Sequence, residues 1–231
     1  MSAEGSASRP DLRPDLRHVD TWLFDLDNTL YPVESGFMRE AEGRMTGYVA
    51  KVTGLPWDEA RALQKQYLAD HGLTLRGLMI HHGVDPVDFH ALFHDLSLEA
   101  LAHDPDLIGA LARLPGRRLV FTNADEVHAR RVMDRLRLSD LFDEVFHIAS
   151  FDFTPKPAPE PFRRIAAEHG VDPRATAFFE DSVRNLEPAA DIGMTTVLVG
   201  PHAPASDAPY VHHKTEQLAP FLWAAQLKEA A

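Results

Sequence analysis

From residue 117 to residue 199 short apolar runs alternate with amphipathic segments, and this alternation constrains the chain more than any other feature. Residues 119–121, 144–148, 175–179 and 195–199 read as strands, with 125–136, 159–169 and 183–192 as the intervening helices. Strand-helix alternation implies right-handed crossovers, hence a parallel sheet with helices on both faces. Such a sheet gathers its chemistry at the carboxyl ends of its strands.

An earlier apolar run, Trp22-Leu23-Phe24, leads directly into Asp25-Leu26-Asp27-Asn28-Thr29. Alternate residues at a strand end share a face, so Asp25 and Asp27 are expected to point into one site. Two carboxylates that close repel unless a cation lies between them or one keeps its proton. The pair suits a divalent-metal site, a nucleophile with its acid/base partner, or both. Taken alone, it is equally compatible with a polar loop, where Asp and Asn are ordinary turn residues.

After Asp27 the pattern turns helical. Residues 37–52 and 57–71 carry apolar side chains at helical spacing, and Pro56 stands where it can open the second helix. Shorter helices are expected over 75–82, 86–94 and 106–114, punctuated by Gly54, Gly72, Gly83 and Pro115-Gly116. The expected layout is an α/β core, residues 20–32 and 114–231, interrupted after its first strand by a helical insert over 33–113. Residues 210–212 read as a small edge strand and 215–227 as a closing helix. Residues 1–19, where Arg9-Pro10-Asp11-Leu12 is echoed by Arg13-Pro14-Asp15-Leu16, read as a flexible arm.

The net charge of −12 argues against binding a nucleic-acid polymer. An anionic small molecule remains possible where positive charge is concentrated locally. The chain has no cysteine, which excludes disulfides and thiolate metal sites. No apolar run reaches the length of a membrane span, and no leader pattern is present at the N-terminus, so a cytoplasmic protein with no membrane partner is expected.

The polar residues after each expected strand form an inventory. Thr122-Asn123 follows the second strand, Thr154-Pro155-Lys156-Pro157 the third, and Glu180-Asp181-Ser182 the fourth. Singly these have ordinary readings: Thr122-Asn123 and Asp181-Ser182 as helix caps, Lys156 as a solvated loop lysine. Together they supply acidic metal ligands, a hydroxyl and amide for anionic oxygens, and one cation. That set suits phosphoryl transfer. Helices beginning after Asn123 and Ser182 would add N–H donors for an anion.

In order and beside strand ends, Phe24-Asp25-Leu26-Asp27-Asn28-Thr29-Leu30, Thr122-Asn123, Lys156-Pro157 and Glu180-Asp181-Ser182 resemble the motifs of the haloacid dehalogenase superfamily. The resemblance covers about residues 20–200 and implies a three-layer, Rossmann-like α/β core with a helical cap after the first strand. It further implies Asp25 as nucleophile through an aspartyl-phosphate and Asp27 as the acid/base. Thr122 and Asn123 would hold the phosphoryl group, and Lys156 would neutralise charge. Mg²⁺ would be held by Asp25, Asp181 and the backbone carbonyl of Asp27, with Glu180 ordering metal-bound water.

Members that dehalogenate 2-haloacids carry a non-acidic residue at the position of Asp27 and need no metal, so the aspartate here favours a phosphatase. The run through Tyr31-Pro32, with Gly72-Leu73-Thr74-Leu75-Arg76-Gly77-Leu78, Gly83-Val84-Asp85 and His128-Ala129, resembles the pyrimidine 5′-nucleotidase branch. His71 departs from it, standing where a tyrosine is common. UMP and CMP are the implied substrates, with Arg76, His81 and His82 as candidate contacts in the cap. The alternatives are a sugar phosphate, phosphoglycolate or other small phosphorylated metabolite, a 2-haloacid, or a non-catalytic binding role on the same scaffold.

Overall fold

The first strand, Thr21–Phe24, is buried along its whole length, as a strand covered on both faces of a parallel sheet must be. The computed structural model describes residues 13–228. Their six-stranded sheet contains β1 (Thr21–Phe24), β2 (Arg117–Phe121), β3 (Glu144–Phe146), β4 (Thr176–Glu180), β5 (Thr195–Val199) and β6 (His213–Thr215). All pairings are parallel, in the order β3-β2-β1-β4-β5-β6. The strand order reverses at β1, where Phe24 pairs with Val120 on one side and Phe179 on the other. A crevice opens outside the carboxyl ends at such a reversal.

Between β1 and β2 run α1 (Phe37–Thr53), α2 (Trp57–His71), α3 (Thr74–His82), α4 (Pro86–His90) and α5 (Pro105–Ala112). The later crossovers contain α6 (Glu126–Leu136), α7 (Pro159–Glu168) and α8 (Val183–Asp191), and α9 (Leu218–Ala224) follows the sheet. Strand side chains alternate between two apolar clusters. Trp22, Phe24, Val120, Phe179 and Val197 pack with Leu111, Val132 and Leu222 on one face. Leu23, Leu119, Phe121, Phe178 and Leu198 pack with Phe162, Ile165 and Leu186 on the other. This is the expected three-layer α/β fold.

Helices α1–α4 have a core of their own, built on Val49, Ala60, Tyr67, Leu75, Leu78 and Phe89. Gly77 is required there, because a Cβ at that position would lie 2.3 Å from the Tyr67 ring. Leu107, Ala110 and Leu111 of α5 join the sheet cluster with Phe221 and Leu222 of α9, as do Phe37 and Ala41 of α1.

Some element boundaries move. The flexible arm expected over 1–19 is packed from residue 14 onward: Leu16 and Val19 are fully buried, and Leu16 N donates to Gln226 O while Gln226 N donates to Pro14 O. Residues 1–12, and the first half of the echo, lie outside the described residues. The edge strand comes after residues 210–212, because Tyr210 O and the His212 ring bond Thr196 and use up its polar groups before β6 begins. The closing helix is confined to Leu218–Ala224, since the chain beyond it turns extended to meet residues 14–16. The helix expected over 86–94 passes into a 3₁₀ turn after His90.

Gly116 has φ +77°, and a Cβ there would lie 1.9 Å from Asp20 O, the acceptor for Arg117 N. Gly116→Ala should therefore destabilise the protein by about 2 kcal/mol or more. Urea unfolding of the variant measures this; a loss below about 0.5 kcal/mol would contradict the described entry into β2.

Candidate active site

Asp25 is the first residue beyond β1, and its N–H continues the sheet by donating to Phe179 O. Its carboxylate meets the ammonium of Lys156 at 2.7 Å, with Thr29 Oγ1 donating to the other oxygen at 3.4 Å. Lys156 is 1 % exposed, and its three protons are all used. They go to Asp25 Oδ1, to Glu180 Oε2 at 2.8 Å and to Phe121 O at 2.8 Å. The rings of Phe121 and Phe178 lie 5.0 and 5.5 Å from the nitrogen. Burial would discharge this lysine, but the facing Asp25 and Glu180 carboxylates outweigh it and raise its affinity for the proton.

The loop bearing Lys156 is held by Asn123. The amide oxygen of Asn123 accepts from Lys156 N at 2.9 Å, and its NH₂ donates to Lys156 O at 3.2 Å. Thr122 Oγ1 accepts from Ala124 N. Helix α6 begins later than expected: Asp125, not Asn123, caps it, accepting from His128 N. The cap readings of Thr122 and Asn123 thus give way to a turn and a loop anchor. Ser182 does precede α8, without a side-chain cap bond.

Oxygens of Asp25, Glu180 and Asp181 come within 4.8 Å of one another, the arrangement among the described residues that could hold a metal ion. Burial, followed by the Glu180 charge, pushes the carboxyls of both Asp25 and Asp181 well above the ordinary range. Lys156 provides a single positive charge for three acidic side chains. The set therefore fits a hard divalent cation, which takes oxygen ligands and offsets this excess of negative charge. Both Glu180 oxygens accept, from Lys156 Nζ and Ser182 N, and both Asp25 oxygens accept as well, from Lys156 Nζ and more distantly from Thr29 Oγ1.

Asp27 has different neighbours. Its Oδ1 accepts from Tyr31 Oη at 2.7 Å and pairs with His128 Nε2 at 2.9 Å. Burial opposes its charge, but His128 and Tyr31 overcome that and keep the carboxyl below its ordinary value. His128 is likewise opposed by burial and raised by Asp27. Neither Tyr31 nor His128 stands out as a functional residue from spacing. The signal is faint: Tyr31 lies one helical turn after Asp27, and His128 lies in the first turn of α6.

A cavity of about 390 Å³ opens over this cluster, lined on the core side by Asp25, Asp27, Thr122, Asn123, Lys156, Glu180 and Asp181. Its other wall comes from the insert and includes Met38, Met45, Gln64, Phe89, His90 and Phe93. Arg76, His81 and His82 are not among the lining residues, which corrects their placement. Helix α3 turns Leu75 and Leu78 to the insert core, while His81 stacks on Tyr67 at 5.3 Å and His82 bonds the Tyr67 hydroxyl at 2.8 Å.

A family model described as haloacid dehalogenase-like hydrolase matches residues 19–193. The chain belongs to that family. Phosphate metabolism protein 8 of Saccharomyces cerevisiae is 28% identical over 193 residues, which is 77% of this chain and 60% of the relative. The chain thus spans under two thirds of the length of that relative. Among solved structures, a HAD phosphatase from Thermococcus onnurineus is 19% identical with TM-score 0.60, covering 89% of this chain and 95% of the other. L-2-haloacid dehalogenase from Xanthobacter autotrophicus, with chloropropionic acid covalently bound, is 17% identical with TM-score 0.55, covering 89% and 97%. At these identities the structural likeness establishes the fold alone.

The Asp27–His128 pair carries a pH signature. Asp27 is depressed, so its contribution is present above 3.8 and fades as pH falls through its folded value. His128 is raised, so its contribution is complete below 6.5 and is lost as pH rises through its folded value. The coupling energy from a cycle of Asp27→Asn and His128→Gln should be largest near pH 5–6 and decline on both sides. Urea unfolding across pH measures it; a flat profile would contradict an ion pair at this position.

Proposed function

We propose that the protein is a Mg²⁺-dependent phosphomonoesterase that hydrolyses pyrimidine nucleoside 5′-monophosphates to nucleoside and phosphate. The observation that carries the reading is the arrangement of Asp25 and Asp27. One carboxylate faces a buried ammonium beside two further acids, and the other is held separately by His128 and Tyr31. Two carboxylates in such different surroundings can divide nucleophile and acid/base roles between them.

In this reading an Asp25 oxygen attacks phosphorus as the bond to the leaving oxygen breaks, giving an aspartyl-phosphate. Asp27 delivers a proton to the departing alkoxide, drawing on the proton held between it and His128. A water then attacks phosphorus, Asp27 takes the proton, and Asp25 is freed. Lys156 neutralises charge on Asp25 throughout, Asn123 keeps its loop in place, and Thr122 retains a hydroxyl proton to offer a phosphoryl oxygen. Asp25 and Asp181, with the Asp27 carbonyl, would hold Mg²⁺, which supplies charge neutralisation at the phosphoryl oxygens.

Several features support the phosphatase half. A halide leaves without a proton, so an acid/base at Asp27 suits an alkoxide better than a 2-haloacid. The curated relative bears the name phosphate metabolism protein, in line with this chemistry. The nucleotidase half rests on the motif resemblance and on the cavity, whose size suits a small organic ligand and whose insert wall is largely apolar. Arg61, Lys65 and Arg184 also line it, setting basic side chains into a lining that holds Asp25, Asp27, Glu42, Asp125, Glu180 and Asp181.

Phosphate release from UMP, CMP, AMP, GMP and several sugar phosphates, with Mg²⁺ or with EDTA, tests both halves. Metal-dependent turnover preferring UMP and CMP is expected; preference for a sugar phosphate would discard the nucleotidase half, and EDTA-resistant turnover the metal. Asp25→Asn should abolish turnover with the fold retained. Lys156→Ala should lower kcat by about 100-fold or more. An effect below about twofold would remove Lys156 from the chemistry.

A further inference from the structure

The backbone takes an uncommon conformation in the loop before Lys156. Asp152 and Phe153 are both left-handed, at φ +52° and +58°, and Phe153 is the one aromatic residue with positive φ among the described residues. A short polar side chain tolerates that region and glycine adopts it freely, whereas a bulky ring does so at a cost. Such strain persists only where the surroundings over-determine it, so the Phe153 ring has to be explained by what it touches.

The ring leaves the α/β core and enters the insert. Phe153 packs against the cluster that holds Val49, Leu75, Leu78 and Phe89, and it is the one member there from outside residues 45–93. It stacks on His90 with ring centroids 6.3 Å apart and planes 28° from parallel. His90 meets Phe89 edge-on at 5.9 Å, and Phe89 meets Phe93 at 5.5 Å. His90, Phe89 and Phe93 line the cavity, whereas Phe153 stands behind them and does not line it.

The other end of this row of rings is fixed to the floor of the site. Phe153 N donates to Ile148 O at 3.1 Å and Thr154 N to Phe151 O at 2.8 Å, which closes the turn. Two residues later the Lys156 backbone is held by both ends of the Asn123 amide. The Phe153 ring therefore has a set place relative to the ammonium that faces Asp25. Insert side chains form the wall of the cavity, but a residue of the core sets where that wall stands.

We propose that Phe153 is a positioning residue for the leaving group, holding the His90–Phe89–Phe93 wall at a fixed height over the phosphoryl site. This rests on the phosphomonoesterase reading and is independent of which base or sugar the leaving group carries. A leaving group large enough to reach the wall is oriented by it, while a small one reacts on the floor alone. The strained backbone is retained because a smaller side chain at this position would leave the wall unsupported. A displaced wall loosens a large leaving group without disturbing Asp25 or Lys156, and orientation of that kind carries a substantial share of a reaction barrier.

Steady-state kinetics on UMP, 1-naphthyl phosphate and acetyl phosphate test the assignment with wild type, Phe153→Ala, Phe153→Gly, His90→Ala and the double variant Phe153→Ala/His90→Ala. Acetyl phosphate has a leaving group too short to reach the wall, so its turnover reports the floor and the fold. Phe153→Ala and Phe153→Gly should each lower kcat/KM for the two large esters about tenfold, chiefly through KM, with acetyl phosphate changed less than about twofold. In the double variant the loss should fall well short of the product of the single losses, as for residues that act through one contact. Urea unfolding should place the Phe153→Gly midpoint above that of Phe153→Ala, because glycine releases the left-handed strain. No loss on the large esters, equal losses on all three substrates, single losses that multiply, or the reverse order of midpoints would overturn the assignment. Where wild type turns over 1-naphthyl phosphate but not UMP, the nucleotidase reading fails and the naphthyl ester decides the assignment. Wild type inactive on all three with Mg²⁺ overturns the phosphomonoesterase reading, and this assignment with it.

Discussion

The Lys156 ammonium is the interaction on which the rest of the site depends. It sits among three strand ends, bonding the side chain just past β1, the last carbonyl of β2 and the last side chain of β4. A buried charge without partners is strongly destabilising, and removing one member of such a group costs about 3–5 kcal/mol. The ammonium thus fixes where these strands end relative to one another. It also leaves the acidic set one-sidedly negative, so the same box that holds the lysine in place remains short of positive charge.

The insert is registered against that box. Gly72, with φ +81°, closes α2 so near the lysine loop that a Cβ would lie 3.3 Å from Lys156 O and 3.2 Å from Pro157. Arg184 of α8 donates to the carbonyls of Leu68 and Gly72, satisfying the end of α2 from the core side. On the opposite side Arg131 reaches the carbonyls of Phe93 and Leu96, and His94 meets Asp125 at 2.6 Å. The wall that would contact a leaving group is therefore aligned, through backbone carbonyls, with the floor that carries the carboxylates.

The chain made much of this legible, for reasons that differ by residue. Trp22-Leu23-Phe24 and Ala177-Phe178-Phe179 are unbroken apolar runs because both faces of their strands are covered, and the acids that follow have no packing reason to be there. Lys156 was legible as a cation between prolines, yet its complete burial was not, since that depends on carboxylates distant in sequence. Short-range patterns also misplaced Arg76, His81 and His82. The stretch around Gly72-Leu73-Thr74-Leu75-Arg76-Gly77-Leu78 is dominated by packing, with Gly77 fitting beneath Tyr67 and Gly72 against Pro157. Tyr31 and His128 act through one oxygen of Asp27, a convergence with no period along the chain. The edge strand and closing helix shifted because their ends are set by pairing with residues 14–16 and 196, which no local window contains.

The position of β1 has a consequence for how the molecule comes together. It is the earliest strand among the described residues, yet it lies in the interior of the sheet, with Thr21 paired to both Arg117 and Thr176. During synthesis it waits for its second neighbour until most of the polypeptide has emerged, and Leu16 waits longer still for Gln226. Contacts of such sequence separation form slowly. An emerging chain therefore has helices of the insert available early, whereas the carboxylates after β1 have no lysine to face until the loop beyond the third strand has been made.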